Sequence, residues 1–298
     1  MTTTRVTGTT IEPTVDRIRR EGWCVIEDVI PGSDLPRIRD DVWSEIRRQR
    51  GEWEREVAKI IAAGHQPPPR MVSHAQALIN DVPQISPYIA DPRILSACEA
   101  LLGPRFRVSS VGAISTSPGN ERGYWHGDWP FNGTLASCFP VPFPDMVMNL
   151  SAIFVLTPFS ELTGATVVLP GSHRRPDNPS TGNGVDRLAP DPDETTVEAA
   201  PGSVLLYDSR LWHAVGANLS DEQRTIVTVR YTPWWLNLEM RRPGGPEQSM
   251  LMAQADGKDN SVPLVPRSVF AQLAESARPL FAHWVDDGDS GPTGQTDP

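Results

Sequence analysis

Four side chains in this sequence have the types and spacing to grip a metal ion together with a small dicarboxylate. His126 and Asp128 stand two residues apart in Gly123-Tyr124-Trp125-His126-Gly127-Asp128-Trp129-Pro130-Phe131, so an imidazole and a carboxylate can reach one ion from a strand end. A second imidazole, His213, follows in Leu211-Trp212-His213-Ala214-Val215-Gly216, and Arg224 comes eleven residues after it. Two imidazoles and one carboxylate form the facial donor set of non-haem Fe(II) sites, which keep positions open for oxygen and a co-substrate. An arginine nearby holds a carboxylate through two parallel N–H bonds. Each piece alone is common: His-x-Asp arises by chance in surface turns, and a lone histidine is more often a hydrogen-bonded core residue than a ligand. Their order and spacing together point to a metal.

The elements that must carry these residues read as mainly β with flanking α-helices. Thr14 to Glu21 is a short amphipathic helix with Val15 and Ile18 on one side; Gly22 stops it, and Trp23 to Ile26 is a buried strand. Ser33 or Asp34 caps a long helix through Leu35, Ile38, Val42 and Ile46, whose charged continuation to Lys59 is a solvated face ended by Gly64 and Pro67. Residues 65–90 give no periodic signal, and His65 and His74 read there as loop histidines without a role. Asp91-Pro92 opens another helix through Ile94, Leu95, Cys98 and Leu102, with Gly103-Pro104 as its stop.

After Pro104 the period changes to two, which predicts Phe106, Val108, Ser110, Gly112 and Ile114 on one face and Arg107, Ser109, Val111, Ala113 and Ser115 on the other. Further strands are expected at 146–156, 165–169, 203–207, 211–215 and 224–231. Short β-branched runs punctuated by Gly, Pro, Asn and Asp predict a double-sheet jelly roll. If Arg224 points into it, Ile226, Thr228 and Arg230 share that face, and Arg230 either reaches a substrate anion or pairs with an acidic neighbour at the rim. Residues 174–195 form a long loop of the kind found at binding sites or disordered. We expect one domain over residues 1–284 and a disordered tail over 285–298.

Composition narrows the classes. Thirty Pro and 23 Gly among 298 residues suit a turn-rich β protein. A net charge of −10 repels a phosphate backbone, so nucleic acid is not an expected partner. Cys24, Cys98 and Cys138 are widely spaced, which argues against a disulfide framework and fits a reducing compartment. No signal-peptide pattern opens the chain, and no apolar run reaches the ~18 residues of a membrane span. The expectation is a cytoplasmic protein with a small-molecule partner and no membrane association; oligomeric state carries no signal.

With Gly164-Ala165-Thr166-Val167-Val168-Leu169-Pro170-Gly171-Ser172-His173-Arg174 added to Trp125-His126-Gly127-Asp128, the chain resembles the phytanoyl-CoA dioxygenase family. The similarity begins at Ile18-Arg19-Arg20-Glu21-Gly22-Trp23-Cys24-Val25-Ile26 and passes through Asp91-Pro92-Arg93 and Leu102-Gly103-Pro104. It closes at Gly202 to His213, Asn218 and Arg224, so it covers roughly residues 15–232. The resemblance implies Fe(II)- and 2-oxoglutarate-dependent oxygenase chemistry with O2 on a double-stranded β-helix, the cupin-like jelly roll. It implies His126, Asp128 and His213 as iron ligands and Arg224 as partner of the distal 2-oxoglutarate carboxylate. Two positions depart from the pattern: Gly127 stands where relatives often carry Gln, which opens space near the iron, and Thr157 where an acidic residue is common. Pro170-Gly171-Ser172-His173 marks the family, with His173 a loop anchor and Asn218 a turn-former.

Further roles are expectations of lower rank. Asn149 and Thr166 are candidate 2-oxoglutarate hydrogen-bond donors. Trp125, Trp129, Phe131, Trp212, Trp234 and Trp235 either wall a substrate pocket or pack in the core, and Arg230 joins that pocket if it faces inward. The aromatic content, and the lack of a Lys/Arg cluster for a CoA phosphate, favour a small apolar or polycyclic metabolite. The expected reaction is hydroxylation of an unactivated C–H bond, with desaturation, epoxidation or rearrangement as alternatives on the same cofactors. Two rivals are a cupin-like metalloenzyme without 2-oxoglutarate and a non-catalytic binding protein on a decayed oxygenase fold.

Overall fold

A computed structural model describes residues 12–62, 64, 67, 71–131, 140–179, 183–254, 261–286 and 288. His65, Cys138 and most of the expected tail lie outside them. The strands are β1 (Trp23–Ile26), β2 (Val72–Ala75), β3 (Phe106–Thr116), β4 (Leu150–Val155), β5 (Thr166–Val168), β6 (Thr195–Thr196), β7 (Val204–Asp208), β8 (His213–Val215), β9 (Arg224–Pro233), β10 (Val265–Pro266) and β11 (Val285–Asp286). Helices α1 (Glu12–Glu21), α2 (Leu35–Ala62), α3 (Ser86–Ile89), α4 (Pro92–Leu102) and α5 (Pro246–Gln254) flank them.

Six strands form an antiparallel sheet in the order β1-β7-β4-β9-β3-β2, and a smaller sheet runs β6-β5-β8. The period of two divides the large sheet cleanly. Ala152, Phe154, Leu206, Val227, Val229 and Tyr231 face outward and pack with Val15 and Ile18 of α1, Ile38 and Val42 of α2, and Ile94 and Cys98 of α4. Ile153, Val155, Leu205, Tyr207 and Ile226 face inward and meet Val168 of β5 and Ala165 just before it. Each such side chain contributes about 1.5–3 kcal/mol when fully buried. A one-residue slip of β9 would exchange these faces and drive Arg224 and Arg230 into the helix layer, so the apolar pattern fixes which way both arginines point.

Two expectations are corrected here. A bulge between Val108 and Ser110 shifts the register of β3 against β9, with Val108 opposite Tyr231 and Ser110 opposite Arg230. Val108 therefore packs outward with Val111 and Ala113, while Ser110 faces inward; one extra residue divides the face that strict alternation predicts. Residues 65–90 are not all loop either. Val72–Ala75 adds the edge strand β2 to β3, pairing His74 with Ile114 on the inner side. Four residues are too few to leave a periodic signal.

The Pro170–His173 motif ties the two sheets to α1. Gly171 donates its N–H to Glu21 O (2.9 Å), Ser172 Oγ accepts the Trp212 N–H (2.9 Å), and a ring nitrogen of His173 lies 3.2 Å from Arg19 O. Gly22, at φ +91°, makes room for this: a Cβ there would stand 2.7 Å from His173 Nδ1 and Leu211 Cδ1. His173 is thus a buried anchor, as expected. Asn218 is likewise the turn-former, donating to Thr116 O and Glu222 O and accepting from Ser220.

Candidate active site

The small sheet carries the histidines. His126 and His213 exchange backbone hydrogen bonds (3.0 Å each way), which adds the Gly123–Asp128 segment to the free edge of β8. Their rings lie 4.2 Å apart. Nδ1 of His126 lies 3.0 Å from Tyr124 O and Nδ1 of His213 lies 2.9 Å from Leu211 O, so each Nε2 is the nitrogen left for a ligand. Asp128, two residues along the same face, is held by its own N–H on Ser209 O (2.7 Å). One ligand atom from each of His126, Asp128 and His213 lies within 4.8 Å of the other two.

Asp128 has more side-chain hydrogen bonds than either imidazole. Its Oδ2 accepts from Ser151 Oγ (2.7 Å) and Tyr207 OH (2.8 Å), and its Oδ1 from Arg230 Nη2 (2.9 Å). Burial alone would raise its pKa; the guanidinium of Arg230, the two imidazoles and the Ser151 hydroxyl outweigh this and hold it well below the ordinary carboxylate range. Burial and the neighbouring His213 lower His126 to about 3, so that imidazole is neutral near pH 7, as a metal ligand must be. Burial and the charge of Asp128 raise Tyr207 well above an ordinary phenol, which keeps its O–H a donor. The donor set, its charge and its buried supports fit a divalent transition metal.

Arg224 opens β9 on the inner face, only 1 % exposed, with its guanidinium 5.5 Å from the Phe159 ring. Its Nε and Nη2 have no hydrogen-bond partner among the described residues, and burial lowers its pKa to about 10. An uncompensated buried cation costs several kcal/mol, which an anion seated beside it would offset.

The sequence profile of the phytanoyl-CoA dioxygenase family (PhyH) matches residues 18–226. The chain belongs to the phytanoyl-CoA dioxygenase family. It is 26% identical over 235 residues to the uncharacterized protein Rv1501 of Mycobacterium tuberculosis, covering 76% of each chain. It is 31% identical over 159 residues to the dioxygenase af480 of Aspergillus fumigatus, covering 51% of this chain and 47% of that one. Among solved structures, HygX from Streptomyces hygroscopicus with nickel and 2-oxoglutarate bound superposes with a TM-score of 0.53 at 14% identity, over 76% of this chain and 89% of that chain. The non-heme alpha ketoglutarate dependent carbocyclase SnoK from nogalamycin biosynthesis gives 0.52 at 19% identity, over 76% and 87%. At such identities the likeness shows the fold, a double-stranded β-helix.

For this phytanoyl-CoA dioxygenase family member, the remaining expected site residues divide. Arg230 faces inward and pairs with Asp128 rather than with an acid at the rim. Thr166 is buried on β5 opposite Val215, and Asn149 is buried with its amide N–H on Trp129 O (2.8 Å). Trp125 and Trp212 do not wall the site. Alternation turns them to the other side of the small sheet from the imidazoles, where they pack with Val167, Leu169 and Ala214, and Trp125 Nε1 donates to Ala189 O (2.9 Å) in the 174–195 loop. Trp234 and Trp235 are 59 % and 48 % exposed beyond the end of β9. Trp129 packs with Leu236, Leu238 and Trp284, and Phe131 with Phe143 and Met148. Gly127 does not open space near the metal: a Cβ there would meet Ser209 O at 3.2 Å, on the backbone side away from the ligands. Ser151 and Tyr207 escaped sequence reading, and their one signal was a hydroxyl at the same inward parity as Ile153 and Leu205.

Proposed function

We propose that the protein is an Fe(II)- and 2-oxoglutarate-dependent dioxygenase that hydroxylates an unactivated C–H bond of a small organic molecule, a specialised metabolite, with release of succinate and CO2. The observation that carries this is the pairing of two incomplete sites, the His126–Asp128–His213 donors and the buried Arg224 guanidinium, which has no counter-charge among the described residues. A dicarboxylate that also chelates metal completes both. Family membership supports the same reading. Iron bound there supplies oxygen activation, with 2-oxoglutarate and O2 as co-substrates.

The chain itself does the positioning. His126, Asp128 and His213 hold the ion; Ser151 and Tyr207 fix the carboxylate from behind. Arg224 takes the distal carboxylate of 2-oxoglutarate, with Thr166 as a further candidate donor. Ile153, Val155, Leu205 and Ile226 exclude water from the space between the sheets. Asp128 fills the carboxylate position, so halide has no reserved place and hydroxylation is the default over desaturation, epoxidation or rearrangement. We place the oxygenase unit at residues 1–284 and the protein in the cytoplasm, which the buried thiols of Cys24 and Cys98 support. The test is substrate-free conversion of 2-oxoglutarate to succinate by the Fe(II)-loaded protein. Iron retention without succinate would favour a cupin-like enzyme, and failure to retain iron a binding protein.

A further inference from the structure

Beside Arg230, the partner of Asp128, the large sheet leaves a chamber of about 190 Å³ between β2, β3 and β9. Its wall is polar: Arg230, Ser110 and Thr228 from the paired strands β9 and β3, His74 and Gln76 from β2 and just beyond, and Arg241. It is not the aromatic pocket that the sequence led us to expect. The indoles of Trp125 and Trp212 lie on the opposite face of the small sheet. An apolar substrate gains nothing by entering such a space, because the groups it would cover lose water without gaining partners.

We propose that this chamber receives a carboxylate of the organic substrate, so that the protein acts on a small carboxylic acid. The inference rests on the proposed function and names its substrate class. Arg230 is the anchor. Nη2 is on Asp128 (2.9 Å), Nη1 makes only a 3.5 Å contact with Ser110 Oγ, and the buried Nε has no hydrogen-bond partner among the described residues. Nη1 thus offers the chamber a charge-assisted N–H, for which a carboxylate oxygen is the matching acceptor. Asp128 does not neutralise Arg230 in the working site, because the same carboxylate must also serve the metal ion. Arg230, its side chain 27 % exposed, then keeps only part of its counter-charge, and a second anion supplies the rest. His74 completes the cradle. Its ring stacks on Trp53 (centroids 4.0 Å apart, planes at 4°), which holds the imidazole edge at the chamber wall, and a neutral imidazole offers one N–H to an oxygen. The chamber borders Arg230, and Arg230 borders the metal ligand, so an acid seated there has its nearby carbons next to the reacting centre.

The arrangement is tested by calorimetric titration of the anaerobic enzyme loaded with Fe(II) and saturated with 2-oxoglutarate, so that Arg224 is already occupied. The probes are hexanoate, benzoate and indole-3-acetate, each against its primary amide. At least one acid should bind about tenfold or more tightly than its amide, the factor of one charge-assisted hydrogen bond. The same acid should lose about tenfold in Ser110→Leu, which fills the chamber, and in Arg230→Gln. Amides that bind as well as acids, no binding of any acid, or wild-type acid affinity in Ser110→Leu would each overturn the proposal. The wild-type loading step separates the two readings. Protein that takes up iron and 2-oxoglutarate but no acid refutes the chamber alone, whereas protein that takes up neither refutes the oxygenase reading.

Discussion

At the residue scale, the site depends on how few groups must be right. His126, Asp128, His213 and Arg224 were legible in the sequence because their chemistry is rare in that order and the family resemblance supplied their roles. Ser151 and Tyr207 were not legible, since their task is set by register: Ser151 is opposite Tyr207 on one side and Arg230 on the other. That places all three against the carboxylate of Asp128. We expect Tyr207→Phe combined with Ser151→Ala to weaken Fe(II) affinity about 10–100-fold, as loss of ligand-orienting partners commonly does. A competition titration against a metal chelator reads this directly, and wild-type affinity in the double variant would remove both residues from the account.

At the element scale, most helices and strands were legible, with boundaries shifted by a few residues. Strands β7, β8 and β9 declared themselves as short runs bounded by Gly, Asn and Asp. The bulge in β3 and the edge strand β2 did not, because each depends on what a neighbouring strand offers rather than on local pattern. The turn at Gly22 shows the same dependence. Gly22→Ala puts a Cβ 2.7 Å from both His173 Nδ1 and Leu211 Cδ1 at φ +91°. We expect a loss of about 1–3 kcal/mol in urea unfolding; a variant as stable as wild type would show that the α1–β1 turn can move off the Pro170–His173 motif.

His74, invisible as more than a loop residue, carries a pH prediction. Burial, with Arg230 and Arg224 nearby, lowers it to about 4. The unfolded histidine titrates near 6.5, so the unfolded chain binds a proton that the fold refuses. Its contribution to stability is full above about pH 6.5 and is lost as pH falls toward 4, amounting to at most about 2 kcal/mol by pH 5. Thermal unfolding of wild type and His74→Gln should therefore converge on acidification. A constant gap between pH 7.5 and pH 5 would show that His74 is not held neutral.

At the scale of the whole molecule, the described residues form two main sheets, with α1, α2 and α4 packed on the outer face of the large one and the candidate site on its inner face. Among the described residues no helix is long and apolar enough to cross a membrane. The aromatic pocket was misread for a geometric reason: residues beside a ligand in sequence point to the opposite face of a strand from the ligand itself. With Asp128 in place, reaction under ¹⁸O2 in chloride buffer should give a product carrying one labelled oxygen. A chlorinated product without label would contradict the role given to Asp128.

The central claim is that His126, Asp128 and His213 hold iron while Arg224 holds 2-oxoglutarate. It is tested most directly by anaerobic titration of 2-oxoglutarate into Fe(II)-loaded wild type, Arg224→Ala and His213→Ala, with iron measured on the same samples. Wild type should bind both. Arg224→Ala should keep its iron yet bind 2-oxoglutarate at least ~30-fold more weakly, the equivalent of about 2 kcal/mol for a broken buried charge pair, and His213→Ala should lose the iron. Wild-type 2-oxoglutarate affinity in Arg224→Ala, or full iron occupancy in His213→Ala, would contradict it.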